Sequence, residues 1–358
     1  VSVSTADRIH GLLLAGAVGD ALGAPVEFDS IETIREQLGP QGVSEVLAPG
    51  HFTDDTQMML FTCEALLISG VLLERDERCN PLAQLHHAYL RWLATQGAPL
   101  PFVALDPMEP LGWLLDQPAL HRVEAPGSTC LSALSSGVCG TPTRPLNDSK
   151  GCGGVMRAAP AGFLVPGIPP GASLPEAYHL GREIAAVTHG HREGIDSAGA
   201  LGAIIAGLFG GATLEDAVRA SITLSSPVVA AYLQRAVRLA KRGVPRGEDL
   251  EAELGGGWVG EEALAIAVAC ALSTDELDVA LLASVNHSGD SDSTGAICGN
   301  IVGARDGIDA LAPEWIAAVD HGDLVTQMAR DCSEWLAFHM EDGATLSDEW
   351  LRRYTSLE

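Results

Sequence analysis

Two acidic runs stand near opposite ends of the 358-residue chain, His51-Phe52-Thr53-Asp54-Asp55-Thr56 and His287-Ser288-Gly289-Asp290-Ser291-Asp292-Ser293-Thr294. Each gathers carboxylate and hydroxyl oxygens where an apolar stretch begins. Helix capping accounts for one such oxygen per helix start, and aspartates suit the first turn of a helix dipole. It does not account for Asp-Asp together with Asp-x-Asp, flanked by hydroxyls on both sides. Clustered carboxylates repel unless something positive lies among them. Oxygen-only donors favour Mg²⁺, Mn²⁺ or Ca²⁺, whereas softer metals prefer sulfur and imidazole. An EF-hand fails: Asp290, Asp292, Thr294 and Gly295 fit its positions 1, 3, 5 and 6, but position 12 is Ile301 instead of glutamate. Neither run encloses a hard cation alone. Together they offer four carboxylates and several hydroxyls, so the reading requires a fold that unites them.

Other polar residues are weaker signals. Glu27 sits in the loop Pro25-Val26-Glu27-Phe28, either as a solvated surface acid or as a group that orients water or a leaving group. The glycine-rich stretch Ser149 to Gly154 is neither a P-loop nor a GxGxxG motif. It reads as a plain turn or as backbone amides facing an anion. Nothing near Cys152 suggests a depressed thiol pKa, which argues against a thiol nucleophile. His189 and His191 are two residues apart, so they do not share a helix face as a zinc pair would. Arg157 is read as structural, and His51 and His287 as partners of the acidic runs.

These residues must be positioned by helices. Residues 6–24 read as a helix in which either a close neighbour on Gly16, Gly19 and Gly23 offsets the cost of glycine, or the helix ends near Asp20–Gly23, before Pro25. Further helices are expected at 31–38, 54–68 (closed by Ser69-Gly70), 81–95, 128–137, 175–187, 195–209, 214–222, 226–241, 261–272 and 275–286. The second acidic run leads into another apolar run, a helix pair lies within 313–341, and a last piece follows Leu346. Residues 97–127 read as irregular segments and short helices. No strand-like alternation persists and no solenoid repeat appears. The expectation is an all-α fold, a single multi-helix domain over 1–358.

Composition agrees: 47% apolar residues and few aromatics suit packed helices. A formal charge of −26 disfavours phosphate-backbone binding, so nucleic acid is not a favoured partner. Eight cysteines without a CxxC pair read as reduced thiols of a cytoplasmic protein. The Leu12–Val18 run lacks the basic lead-in of a signal peptide, and no apolar run is expected to reach the roughly 20 residues that span a bilayer.

Five motifs, in order over roughly residues 8–305, resemble the ADP-ribosylglycohydrolases. They are Gly16-x-x-Gly19-Asp20-Ala21-Leu22-Gly23 with Glu27; Phe52-Thr53-Asp54-Asp55-Thr56; Gly151-Cys152-Gly153-Gly154-Val155-Met156-Arg157; Thr188-His189-Gly190-His191; and Ser288-Gly289-Asp290-Ser291-Asp292-Ser293. The resemblance implies an all-helical fold with two Mg²⁺ or Mn²⁺ ions held by Thr53, Asp54, Asp55, Asp290, Asp292 and Ser293. It implies hydrolysis at C1 of a ribose whose diol is gripped by the metals, with Asp55 or Asp292 taking a proton. Glu27 matches a glutamate on a mobile loop over the metals. Ser149, Gly151, Cys152, Gly153 and His189 become ADP-ribose contacts. Substrates would be ADP-ribosylated proteins or small-molecule conjugates, with ADP-ribose as product. Cys152-Gly153 favours an arginine-linked acceptor, while Glu27 also fits the serine-linked branch and a nucleobase acceptor remains open. The rivals are a non-catalytic binding or structural member of the family and a metal-dependent N-ribohydrolase acting on nucleosides.

Overall fold

The computed structural model describes residues 3–75, 79–101 and 112–355. Among these the regular structure is helical, with sixteen α-helices, several short 3-10 turns and isolated bridges instead of strands. The helices are α1 (Thr5–Gly23), α2 (Ile31–Leu38), α3 (Asp54–Glu74), α4 (Pro81–Thr95), α5 (Ser128–Ser135), α6 (Leu174–Ala186), α7 (Arg192–Phe209) and α8 (Leu214–Leu224). They continue as α9 (Pro227–Ala240), α10 (Gly247–Leu254), α11 (Gly260–Ser273), α12 (Leu277–Val285), α13 (Ser291–Asp306), α14 (Pro313–Ala318), α15 (Gly322–Met340) and α16 (Asp348–Tyr354). The all-α expectation is met. Of the irregular 97–127 segment, residues 102–111 lie outside the described residues, and the remainder includes 3-10 turns at Leu114–Asp116 and Pro118–Leu120.

The feature that organises the site is the packing of α1 against α13. Gly11, Gly19 and Gly23 of α1 face Gly303, Gly295 and Ser291 of α13, which makes the pair antiparallel. Adding a Cβ at any of these glycines, on either helix, would drive it into the opposite backbone. The helix propensity lost to glycine is offset by backbone-to-backbone contact that no larger residue permits. Asn300 then bridges the seam, donating from Nδ2 to Leu12 O at 3.0 Å. In this arrangement the C-terminal end of α1 and the N-terminal end of α13 emerge side by side.

Several boundaries differ from the sequence reading. Helix α3 does not close at Ser69-Gly70. Ser69 Oγ bonds back to Ala65 O, and Gly70 leaves room for the Trp335 ring, so the helix runs on to Glu74. Helix α10 was not anticipated from the sequence; its Glu248 pairs with Arg35 of α2. The expectation about membrane-length runs is also corrected. Thr5–Val26 and Asp54–Glu74 are long and apolar enough to cross a bilayer, but 83% and 94% of an apolar 18-residue stretch in each is buried inside the protein. They are apolar all round because protein surrounds them on all sides. All eight cysteines are free thiols.

Candidate active site

Three helix ends converge on one cleft. Two of these ends are tied together by Asp20, a fully buried carboxylate in the otherwise apolar second half of α1. Both Asp20 oxygens lie 3.0 Å from the Thr53 amide; Oδ2 also accepts from the Thr56 amide at 3.1 Å and the Thr56 hydroxyl at 2.6 Å. This network seats the start of α3 beside the end of α1. Thr53 is the N-cap of α3, its hydroxyl accepting from the Asp55 amide, and Asp54 Oδ2 accepts from the Gly127 amide at 3.1 Å. At the other side Asp290 is the N-cap of α13 and accepts from the Ser293 amide, as does Asp292 Oδ1 at 2.9 Å. Gly289, at φ 134°, lies so close to Gly256 that a side chain would collide, and the Asp290 amide donates to Gly256 O. Capping is therefore real at Thr53 and Asp290.

It does not exhaust the oxygens. Glu27, Asp290 and Asp292 bring one carboxylate oxygen each within 4.8 Å of one another. Asp54, Asp55 and Ser293 line the same cleft of about 350 Å³, within the range of small-ligand pockets. Asp55 Oδ2 is buried without a hydrogen-bond partner. Burial, reinforced by Asp292, pushes Asp20 up to about 7 and Glu27 up to about 8. Burial likewise raises Asp54 to about 8, against the opposing Gly127 hydrogen bond. Asp55 and Asp290 lie well above the usual carboxylate range, by burial and then by Asp292. An all-oxygen donor set whose members raise one another's proton affinity, with one oxygen orphaned, fits a hard divalent cation.

The remaining predicted residues divide. Gly151, Cys152, Gly153 and His189 line the cleft, whereas Thr53 and Ser149 are not part of its lining. Ser149 sits behind the glycine loop, its Oγ 3.1 Å from Thr129 Oγ1. Two amides of that loop are already engaged: Gly151 N–H to Ser149 Oγ and Cys152 N–H to Trp258 O. Cys152 Sγ donates to Asp290 Oδ2 at 2.7 Å, and burial followed by Asp290 pushes its thiol far above the ordinary range, the opposite of an activated nucleophile. His189 is buried beside Thr188 Oγ1 and pushed down to about 3 by burial and Arg157, so it is a neutral ring. Arg157 is fully buried, bonded to Ile184 O and Thr188 Oγ1 and laid over the Tyr89 ring at 4.4 Å. Of the two flanking histidines, His287 is buried 2.8 Å from Thr294 Oγ1 in the first turn of α13. His51 instead joins Arg122 and Asp320 outside the cleft.

Sequence reasoning overlooked Asp20 as a support and Trp258, in the loop 255–259, as part of the cleft wall. Both carried a signal: an isolated charge inside an apolar helix, and an aromatic residue within a glycine stretch.

A model of the ADP-ribosylglycohydrolase family matches residues 2–343. The chain is 27% identical over 327 residues to the ADP-ribosyl-[dinitrogen reductase] glycohydrolase of Rhodospirillum rubrum, covering 88% of this chain and 92% of that one. It is 22% identical over 332 residues to the ADP-ribosylarginine hydrolase Tri1 of Pseudomonas putida, covering 91% and 77%. A solved ADP-ribosylglycohydrolase-related protein complex superposes with a TM-score of 0.63 at 25% identity, covering 90% of this chain and 96% of its own. The chain belongs to the ADP-ribosylglycohydrolase family, hydrolases that act on glycosyl bonds.

Proposed function

We propose that the protein is a divalent-metal-dependent hydrolase that frees ADP-ribose from modified acceptors by cleaving the bond at C1 of the terminal ribose, with arginine as the acceptor. The observation that carries this reading is the meeting of Glu27, Asp290 and Asp292 with Asp54 and Asp55 in one cleft. Asp54, Asp55, Asp290 and Asp292, with the hydroxyls of Thr53 and Ser293, are the proposed holders of two Mg²⁺ or Mn²⁺ ions. Such ions, when bound, acidify water and polarise sugar oxygens.

The protein's own groups do the rest. Asp55 or Asp292 is the proposed acceptor of the attacking water's proton. Glu27, at the rim of the acidic group, orients the departing acceptor atom or the incoming water by hydrogen bonding. The neutral imidazole of His189 and the backbone of Gly151, Cys152 and Gly153 form the wall proposed to face the ADP-ribose. An arginine-linked acceptor is supported by the Cys152-Gly153 pair and by similarity to Tri1.

The test is to incubate the protein with arginine-, serine- and nucleobase-linked ADP-ribose in Mg²⁺ or Mn²⁺ and follow free ADP-ribose. Release from the arginine conjugate, abolished by EDTA, is expected. Preferential release from another conjugate would overturn the acceptor assignment, and no release from any would overturn the activity.

A further inference from the structure

Two aromatic side chains at the mouth of the cleft have no part in the chemistry above. Phe28 is 71% exposed and Trp258 43% exposed, yet their rings stack at 5.3 Å with 19° between the planes. Phe28 also holds a backbone φ of 74°, a left-handed conformation that a bulky residue rarely adopts. Such strain persists only where the surroundings enforce it, and it concentrates at functional sites.

Both sides of the stack enforce it here. The Glu27 amide donates to Gly23 O, the Phe28 amide to Gly289 O and the Asp29 amide to Val26 O, which pins the arm to the ends of α1 and α13. On the other side, Gly255 and Gly257 adopt φ of 100° and 83° to shape the loop that carries Trp258. That same loop receives the Cys152 amide on Trp258 O and the Asp290 amide on Gly256 O. The Trp258 ring is thus mounted on the piece of backbone that also fixes Asp290 and Cys152.

Glu27 immediately precedes Phe28 in the chain, with its carboxylate close to those of Asp290 and Asp292. We infer that the Phe28–Trp258 stack is a latch that sets the Glu27 carboxylate over the acidic centre, which makes Phe28 and Trp258 positioning residues. This rests on the catalytic role proposed for Glu27. Gripping the ring at the mouth of the cleft fixes the neighbouring carboxylate within it, and misplacement by an ångström can cost about a hundredfold in rate.

Steady-state kinetics on the arginine conjugate, with Phe28→Ala, Phe28→Tyr, Glu27→Gln and the Phe28→Ala/Glu27→Gln double variant, test the latch. Phe28→Ala should lower kcat by about tenfold or more with KM within about twofold. Phe28→Tyr should recover the rate, and Phe28→Ala should add nothing in the Glu27→Gln background, because both act through one carboxylate. Multiplying effects, an undiminished kcat in Phe28→Ala, or a change confined to KM would overturn the latch. A second readout does not depend on turnover. Phe28→Ala should increase acrylamide quenching of tryptophan emission, and the increase should vanish when Trp258→Phe is added. Unchanged quenching would overturn the stack itself, whereas altered quenching in a protein that hydrolyses no conjugate would uphold the stack and overturn the proposed function.

Discussion

The two acidic runs use the same sequence idiom and are held in different ways. The Asp290–Ser293 run is placed by backbone. Helix α13 lies directly on α1 through facing glycines, and Gly289 abuts Gly256, so backbone hems the run on two sides. The Thr53–Thr56 run is placed mainly by a side chain, the Asp20 carboxylate, which collects two amides and a hydroxyl, with one backbone bond from the Asp54 amide to Glu124 O. A backbone seam tolerates no added atom, whereas a polar clasp depends on one group and on its protonation. The second run is therefore the rigid half of the site and the first is the adjustable half.

The largest expected effect breaks the rigid half. Gly295→Val would force a β-carbon bearing two methyl groups into the Gly19 backbone. It should cost about 3 kcal/mol or more, near the upper end of overpacking effects, and leave little folded protein. Thermal denaturation of the purified variant reads this directly, and a near-native Tm would show that the seam is not closely packed.

Breaking the adjustable half should be milder. Asp20→Ala leaves the Thr53 and Thr56 amides without their acceptor and is expected to cost about 2 kcal/mol. The protein should stay folded but lose activity by about tenfold or more as Asp54 and Asp55 shift. Denaturant titration and initial rates measured together distinguish this from the Gly295→Val outcome.

Protonation sharpens the contrast further. Asp20, Glu27 and Asp54 have folded-state values of about 7, 8 and 8, above the ordinary carboxylate range of the unfolded chain. Between about pH 4 and 8 the folded state therefore holds protons that the unfolded state has lost, and these groups make stability fall as pH rises through that window. In EDTA, Tm should decline from pH 5 to pH 8. Added Mn²⁺ should raise Tm most at the upper end, where the carboxylates it would neutralise are charged. A metal-independent Tm across the window would contradict the reading.

Much of this was legible in the sequence, for identifiable physical reasons. Apolar spacing located most helices, and the Gly16, Gly19 and Gly23 series announced a close helix partner without naming it. Acidic residues after an N-cap marked two helix starts, and the oxygen-only character of the clusters pointed to a hard cation. Long-range geometry was not legible. Asp20 looked like a helix terminator because its partners, Thr53 and Thr56, are remote in sequence. Glu27 joins Asp290 and Asp292 more tightly than the sequence alone implied. Trp258 draws its role from the loop conformation allowed by Gly255 and Gly257. Helix α3 passes Ser69-Gly70 because of Trp335, which lies far along the chain.

The smallest expected effect concerns the residue that flanks the first run without joining it. His51 contacts Arg122 and Asp320 outside the cleft. His51→Ala should leave the rate within about twofold, in line with surface substitutions away from a site. A large loss would mean that the α3 end is controlled from its outer face as well as through Asp20.

The most direct test of the account is Mn²⁺ binding measured calorimetrically on the wild-type protein, Asp55→Asn, Asp292→Asn and the double variant. If the two remote runs form one pocket, wild type should bind two ions. Each single variant should weaken binding by about tenfold or more, and the double variant should lose less than the product of the two. Affinities that change independently, or that respond to only one of the two aspartates, would contradict a shared site.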